Sequence, residues 1–175
     1  SGIQEGAFSQ CFLLESLTLP DTITTIQDSA FYGCSVLKKL EIPDSVTAMG
    51  KGTMEACIAL TDVKLPSTLN TLPTSTFYGC TALETVSFPE AINTIGSEAF
   101  YQCTALKDVD LSQIATIETY AFEGCSALTN ITIPETCTTL GDFVFDGCSA
   151  LKEIQVADSN PNYQDIEIGR ASCRE

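Results

Sequence analysis

Cysteine is the residue type in this 175-residue chain with the most chemical potential, because there are nine of them and seven fall in register. Cys11, Cys34, Cys57, Cys80, Cys103, Cys125 and Cys148 are separated by 23, 23, 23, 23, 22 and 23 residues. A thiol column of this kind suggests disulfides, a metal centre or a redox array. If neighbouring cysteines sit one strand spacing apart, their parallel Cβ vectors hold the Cβ atoms about 4.8 Å apart, whereas a disulfide wants roughly 3.8 Å. No Cys-x-x-Cys spacing exists, so zinc and thioredoxin-like readings also fail. The expected role is a small buried hydrophobe, and Cys137, which takes an apolar core position in its own cycle, supports it.

Other chemistry has even less material. The chain contains no histidine, which removes the commonest general base, zinc ligand and partner of a Ser or Cys nucleophile. Asp108 and Asp110, with Glu84 one turn away, offer a cation site, but calcium needs six to eight oxygens in a shaped loop. Full Gly-x-Gly-x-x-Gly phosphate loops, Gly-x-Ser-x-Gly elbows and His-Glu-x-x-His helices are absent. No enzyme activity, cofactor or metal is expected. A formal charge of −15 with eight basic residues repels nucleic acid and anionic lipid. No run of eighteen apolar residues is present, so no membrane insertion is expected from this segment.

The elements that must position these residues follow from the same period. Phe8, Phe31, Met54, Phe77, Phe100, Phe122 and Phe145 precede each cysteine by three, and Leu14, Leu37, Leu60, Leu83, Leu106, Leu128 and Leu151 follow it by three. Each of these leucines opens Leu-x-x-Leu-x-Leu-Pro, as in Leu37–Pro43, whose alternation predicts a short half-buried strand. Proline, lacking an N–H, ends it. A second apolar pair, such as Ile23/Ile26 or Ile92/Ile95, predicts another short strand on the opposite wall. Ala-Phe-x-Gly-Cys then predicts one tight helical turn closed by a glycine at positive φ, although Gln102 takes that place in one cycle. One such coil cannot bury its own apolar side chains, so about seven must stack. The expected fold is a right-handed leucine-rich-repeat solenoid, β-rich, with parallel strands and short helical or 3-10 turns. The fifth-to-sixth cycle is one residue short at Leu111–Ile114, where a kink is expected.

Between the core positions of the first strand, outward residues form two columns. One is Ser16, Lys39, Asp62, Thr85, Asp108, Asn130 and Glu153, and the other is Thr18, Glu41, Lys64, Ser87, Asp110, Thr132 and Gln155. With their neighbours they carry seven acids and five lysines, a nearly neutral wall on a strongly acidic chain. A rigid sheet presenting variable side chains loses little entropy on binding. Lys39, Glu41, Asp62, Lys64, Thr85, Asp108, Asp110, Asn130 and Thr132 are therefore the candidate protein-binding residues. A mixed-charge solvated face is the plainer expectation for the same pattern. Tyr32, Tyr78 and Tyr101 share another phase, which makes Tyr78 and Tyr101 expected neighbours that either cover the core edge or join an interface.

The full unit, Leu-x-x-Leu-x-Leu-Pro-x-x-Val-x-x-Ile-x-x-x-Ala-Phe-x-Gly-Cys, resembles the BspA-like branch of leucine-rich repeats over roughly residues 3 to 157. The resemblance implies an extracellular or cell-surface protein that adheres to host or neighbouring-cell proteins through its concave sheet. A passive spacer in a larger surface protein is the alternative. Residues 1–157 are expected to be the array, cut at both ends, with fraying or end-to-end self-association as a consequence. Residues 158–167, containing Asn160-Pro161-Asn162-Tyr163, are similar to a segment that interrupts arrays in that family. Residues 168–175 read like a translated sequencing adapter, which would make the sequence a metagenomic fragment.

Overall fold

The 23-residue unit folds as a coil with two strand walls joined by turns, and successive coils stack in parallel. The computed structural model describes residues 1–163; residues 164–167 of the Asn-Pro-x-Tyr segment and the adapter-like 168–175 lie outside them. The first wall contains β3 (Lys39–Glu41), β5 (Asp62–Lys64), β7 (Thr85–Val86), β9 (Asp108–Val109), β11 (Asn130–Ile133) and β13 (Glu153–Val156). The back wall contains β1 (Gly2–Ile3), β2 (Thr25–Ile26), β4 (Ala48–Met49), β6 (Thr71–Leu72), β8 (Thr94–Ile95), β10 (Thr116–Ile117) and β12 (Thr139–Leu140). All pairing is parallel and keeps the sequence phase, as in Leu40 against Val63 and Ile95 against Ile117. In the first cycle Leu14, Leu17 and Leu19 form no strand. The three leucines stay half-buried against the core.

The core is the expected set of ladders. Phe31, Phe77, Phe100 and Phe122 are fully buried, with the cysteines and leucines of their phases beside them. Rings stack along the axis, with centroids 5.3 Å apart for Phe77 and Phe100 and 5.1 Å for Phe100 and Phe122. Met54 interrupts this column without leaving the core.

Two local findings depend on backbone donors. On the back wall, Gly50, Gly96 and Gly141 donate their N–H to Ile26, Leu72 and Ile117 of the preceding coil, each at 2.8 Å. Pro73 has the same phase and no N–H, and there the wall divides into a β1-β2-β4 sheet and a β6-β8-β10-β12 sheet. The one-residue deletion has a smaller effect. Thr94 pairs with Thr116 and Thr116 with Thr139, so the back wall runs through it. The missing residue is absorbed in the corner, where Ile114 N–H bonds Leu111 O at 2.8 Å and Gln113 Nε2 bonds Pro89 O at 2.7 Å.

The expected helical turn of Ala-Phe-x-Gly-Cys is corrected: no helix forms among the described residues. Amide directions explain why. Ser29, Phe31 and Gly33 donate to Lys51, Thr53 and Glu55 of the next coil, whereas Tyr32 and Cys34 close local turns onto Ser29 and Phe31. Alternate amides are thus committed between coils, and a continuous helix cannot spare them. This path needs left-handed backbone at two places per coil. Gly33, Gly79, Gly124 and Gly147 supply one, with φ between 68° and 74°, and Gln102 adopts φ 56° in the same phase. The other is marked by glycine only at Gly6 and Gly52 and is taken by Ser29, Ser75, Glu98, Tyr120 and Phe143 elsewhere.

The Asn-Pro-x-Tyr residues keep the phase of the array. Asn160 and Tyr163 follow Cys137 and Leu140 by 23. Asn160 Nδ2 donates to Pro134 O at 2.6 Å and Cys137 O at 3.1 Å, and its Oδ1 accepts from the N–H of Asn162 and of Tyr163. Tyr163 Oη accepts the Leu140 N–H at 2.8 Å. Polar side chains at core-ladder positions here satisfy backbone groups of the preceding coil.

Candidate binding surfaces

On the first wall, alternation leaves every second side chain outside. All nine candidate residues are exposed: Lys39, Glu41, Asp62, Lys64, Thr85, Asp108, Asp110, Asn130 and Thr132. Their register holds within each pair of strands, where Lys39 opposes Asp62, Glu41 opposes Lys64 and Thr85 opposes Asp108, and the wall divides into the pairs β3-β5, β7-β9 and β11-β13. The wall neutralises much of its own charge. Lys39 Nζ lies 2.8 Å from Glu41 and 3.2 Å from Asp62, and Lys107 Nζ lies 2.8 Å from Glu84. Hydrogen bonds to Glu41 and Asp62 raise the Lys39 pKa. The Ser112 N–H, 2.9 Å from Asp110 Oδ1, holds that carboxyl below its ordinary range.

The nine residues are not one cluster. Lys39, Glu41 and Lys64 line one open depression with Leu17 and Leu19. Asp108 and Asp110 line a second with Thr85, and a third with Asn130 and Thr132. Glu84 turns to Lys107 instead of joining the two aspartates.

The turn face of the coils has a different character. Tyr78 and Tyr101 stack with centroids 4.6 Å apart, as their phase predicts, and remain partly exposed. A second pair, Tyr120 and Phe143, stacks at 5.4 Å in a column three residues away. Phe143 is 57% exposed. Glu55, Glu98, Glu123 and Asp146 fill the places between and beyond these rings. Burial and the Glu98 charge raise the Glu55 pKa, and burial and the Asp146 charge raise that of Glu123. The Glu123 charge likewise raises the Tyr101 phenol. Sequence reading missed the second pair because Tyr120 and Phe143 share a phase with Gly6, Ser29 and Gly52, which shows no aromatic pattern.

The cysteine ladder has no reactive geometry. Each thiol from Cys34 on donates to the carbonyl of the core residue one coil back, as in Cys57 to Phe31 at 3.2 Å and Cys103 to Phe77 at 3.0 Å. Burial pushes the Cys57 thiol up to about 12 and those of Cys80 and Cys103 well above their ordinary value. A thiol that stays protonated is a poor nucleophile and metal ligand. The sequence-level expectation of a small hydrophobe is therefore incomplete, since these thiols are also inter-coil hydrogen-bond donors.

Parallel coils with a Leu-x-x-Leu-x-Leu strand and stacked Phe and Cys ladders define a β-solenoid of the leucine-rich-repeat class. The chain belongs to the BspA type leucine-rich repeat family, whose profile matches residues 1–129 and 105–167 in six copies. Among solved structures it is similar to a leucine-rich repeat protein from Eubacterium ventriosum, at 31% identity and TM-score 0.79 over 87% of this chain and 41% of that one. A Bacteroides ovatus leucine-rich repeat protein matches at 26% identity and TM-score 0.75, over 89% and 46%. A leucine-rich cell surface protein from Faecalibacterium prausnitzii shares the fold at 24% identity and TM-score 0.51, over 100% and 61%. The chain thus spans less than half the length of the first two. No curated protein matches it.

Proposed function

We propose that this chain is a cell-surface protein-interaction module that adheres to host or neighbouring-cell proteins through the first wall. One observation carries the reading: the nine wall residues are all exposed along the first wall, whose strands pair as β3-β5, β7-β9 and β11-β13. Such a surface offers varied polar contacts without the cost of ordering a loop. Membership of a leucine-rich-repeat family supports binding over catalysis, as does a ladder of protonated, buried thiols in a chain without histidine. A surface location is supported by the family and by the description of the Faecalibacterium neighbour.

The test is a screen of the chain against immobilised matrix, plasma and epithelial proteins, beside a variant with Lys39, Lys64, Asp108 and Asp110 reversed in charge. Saturable binding that the variant loses is the expected result. No binding, or equal binding by both, would leave a passive spacer as the function.

A further inference from the structure

The turn face displays rings and carboxylates outside the core. Glu98, Tyr120 and Phe143 adopt φ of 57°, 60° and 55°, where Gly6 and Gly52 stand in other coils. Phe143 carries a ring that stays 57% exposed. Rings and carboxylates alternate across two columns: Tyr78 and Tyr101 lead to Glu123 and Asp146 in one, and Glu98 leads to Tyr120 and Phe143 in the other. Among the described residues every ion pair lies on the first wall, and Lys51, at the third-coil end of this face, makes none.

We propose that the Tyr78/Tyr101 and Tyr120/Phe143 ridge, with Glu55, Glu98 and Glu123, is a second binding surface that docks an arginine-rich segment of a partner protein. Charge complementarity selects the occupant. The planar guanidinium stacks on aromatic faces and pairs bidentately with carboxylates, which suits a surface where the two alternate, whereas a lysine ammonium does the first less well. The ridge runs over coils three to seven, about 20 Å at one strand spacing per coil, the length of an extended segment of about six residues. It is separate from the first-wall surface and stands whether or not that wall binds.

The test uses fluorescence anisotropy of labelled octa-arginine, octa-lysine and octa-glutamate peptides with the whole chain near physiological salt. Octa-arginine should bind saturably and several-fold tighter than octa-lysine, and octa-glutamate should not bind. Tyr78→Ser with Tyr101→Ser, and separately Glu98→Gln with Glu123→Gln, should each weaken octa-arginine at least tenfold. Phe143→Ser, which removes an exposed ring and leaves the core intact, should weaken it several-fold and guards against a folding artefact. Neutralising the remote Asp21 and Glu90, or reversing Lys39, Lys64, Asp108 and Asp110 with no change in net charge, should leave it unchanged. Equal binding of the two cationic peptides with equal losses from ridge and remote acids would reduce the effect to bulk charge and overturn the proposal, as would absence of octa-arginine binding.

Discussion

The first wall and the turn face are built from the same coils yet treat charge in opposite ways. On the first wall Lys39 reaches Glu41 and Asp62, Lys107 reaches Glu84, and Asp110 accepts an amide. On the turn face Glu55 and Glu123 are partly buried among other carboxylates, and their pKa values rise. Strand geometry accounts for the first: opposite residues one strand apart pair readily across a register. Tight turns account for the second, since every coil projects the same phase at one edge and like charges accumulate there. In this array the first wall thus neutralises much of its own charge, whereas the carboxylates of the turn face have no such pairs among the described residues.

The largest expected effect checks that both faces rest on one core. Phe100→Ala should destabilise by about 3–5 kcal/mol, because the ring is fully buried between Phe77 and Phe122. Phe143→Ala, one coil beyond Tyr120 on the turn face, should change stability by no more than about 0.5 kcal/mol. Denaturant titration of both variants reads the contrast, and equal losses would mean the exposed ring is structural. Thiol chemistry gives a related contrast. Peptide-level mass spectrometry after mild alkylation at neutral pH should find Cys11, which is half-buried, modified ahead of Cys57, Cys80 and Cys103. Early modification of Cys80 would break the ladder as described.

The ladders were legible in the sequence because a solenoid repeats its core: Phe100, Cys103 and Leu106 recur with their neighbours at fixed spacing, and stacking alone buries them. The first-wall columns were legible for the same reason, since period-two alternation sets which side chains face out. The turn was not. Its path depends on which amides bond between coils, and a periodic apolar pattern says nothing about that. The left-handed positions at Glu98, Tyr120 and Phe143 were missed because glycine marks their phase only at Gly6 and Gly52. Pro73 was passed over, because its effect shows only once Gly50 and Gly96 are seen to donate backward from the same phase.

A smaller effect is expected from the wall's ion pairs. Lys39→Ala, which removes both contacts of an exposed lysine, should lower the melting temperature only slightly, and less at high salt. Thermal melts at two salt concentrations measure it, and a larger, salt-independent loss would mean the pair is structural.

The smallest effect has the sharpest sign. Glu55 and Glu123 have folded pKa values above their ordinary 4.5. The native state then holds protons that the unfolded chain has released, so these groups favour folding below pH 4.5 and oppose it as pH rises through their raised values. Asp110 has a folded pKa below its ordinary 3.8, so it contributes stability above that pH and loses it as pH falls through the folded value. Glu55→Gln with Glu123→Gln should therefore raise the melting temperature at neutral pH, with the gain shrinking toward pH 4. Asp110→Asn should lower it at neutral pH, with the loss vanishing in acid. Melting curves across pH 3 to 7 give two differences of opposite sign if the faces differ as described. Two of the same sign would mean that turn-face carboxylates are balanced within the native chain, which would remove the electrostatic reason for a basic partner there.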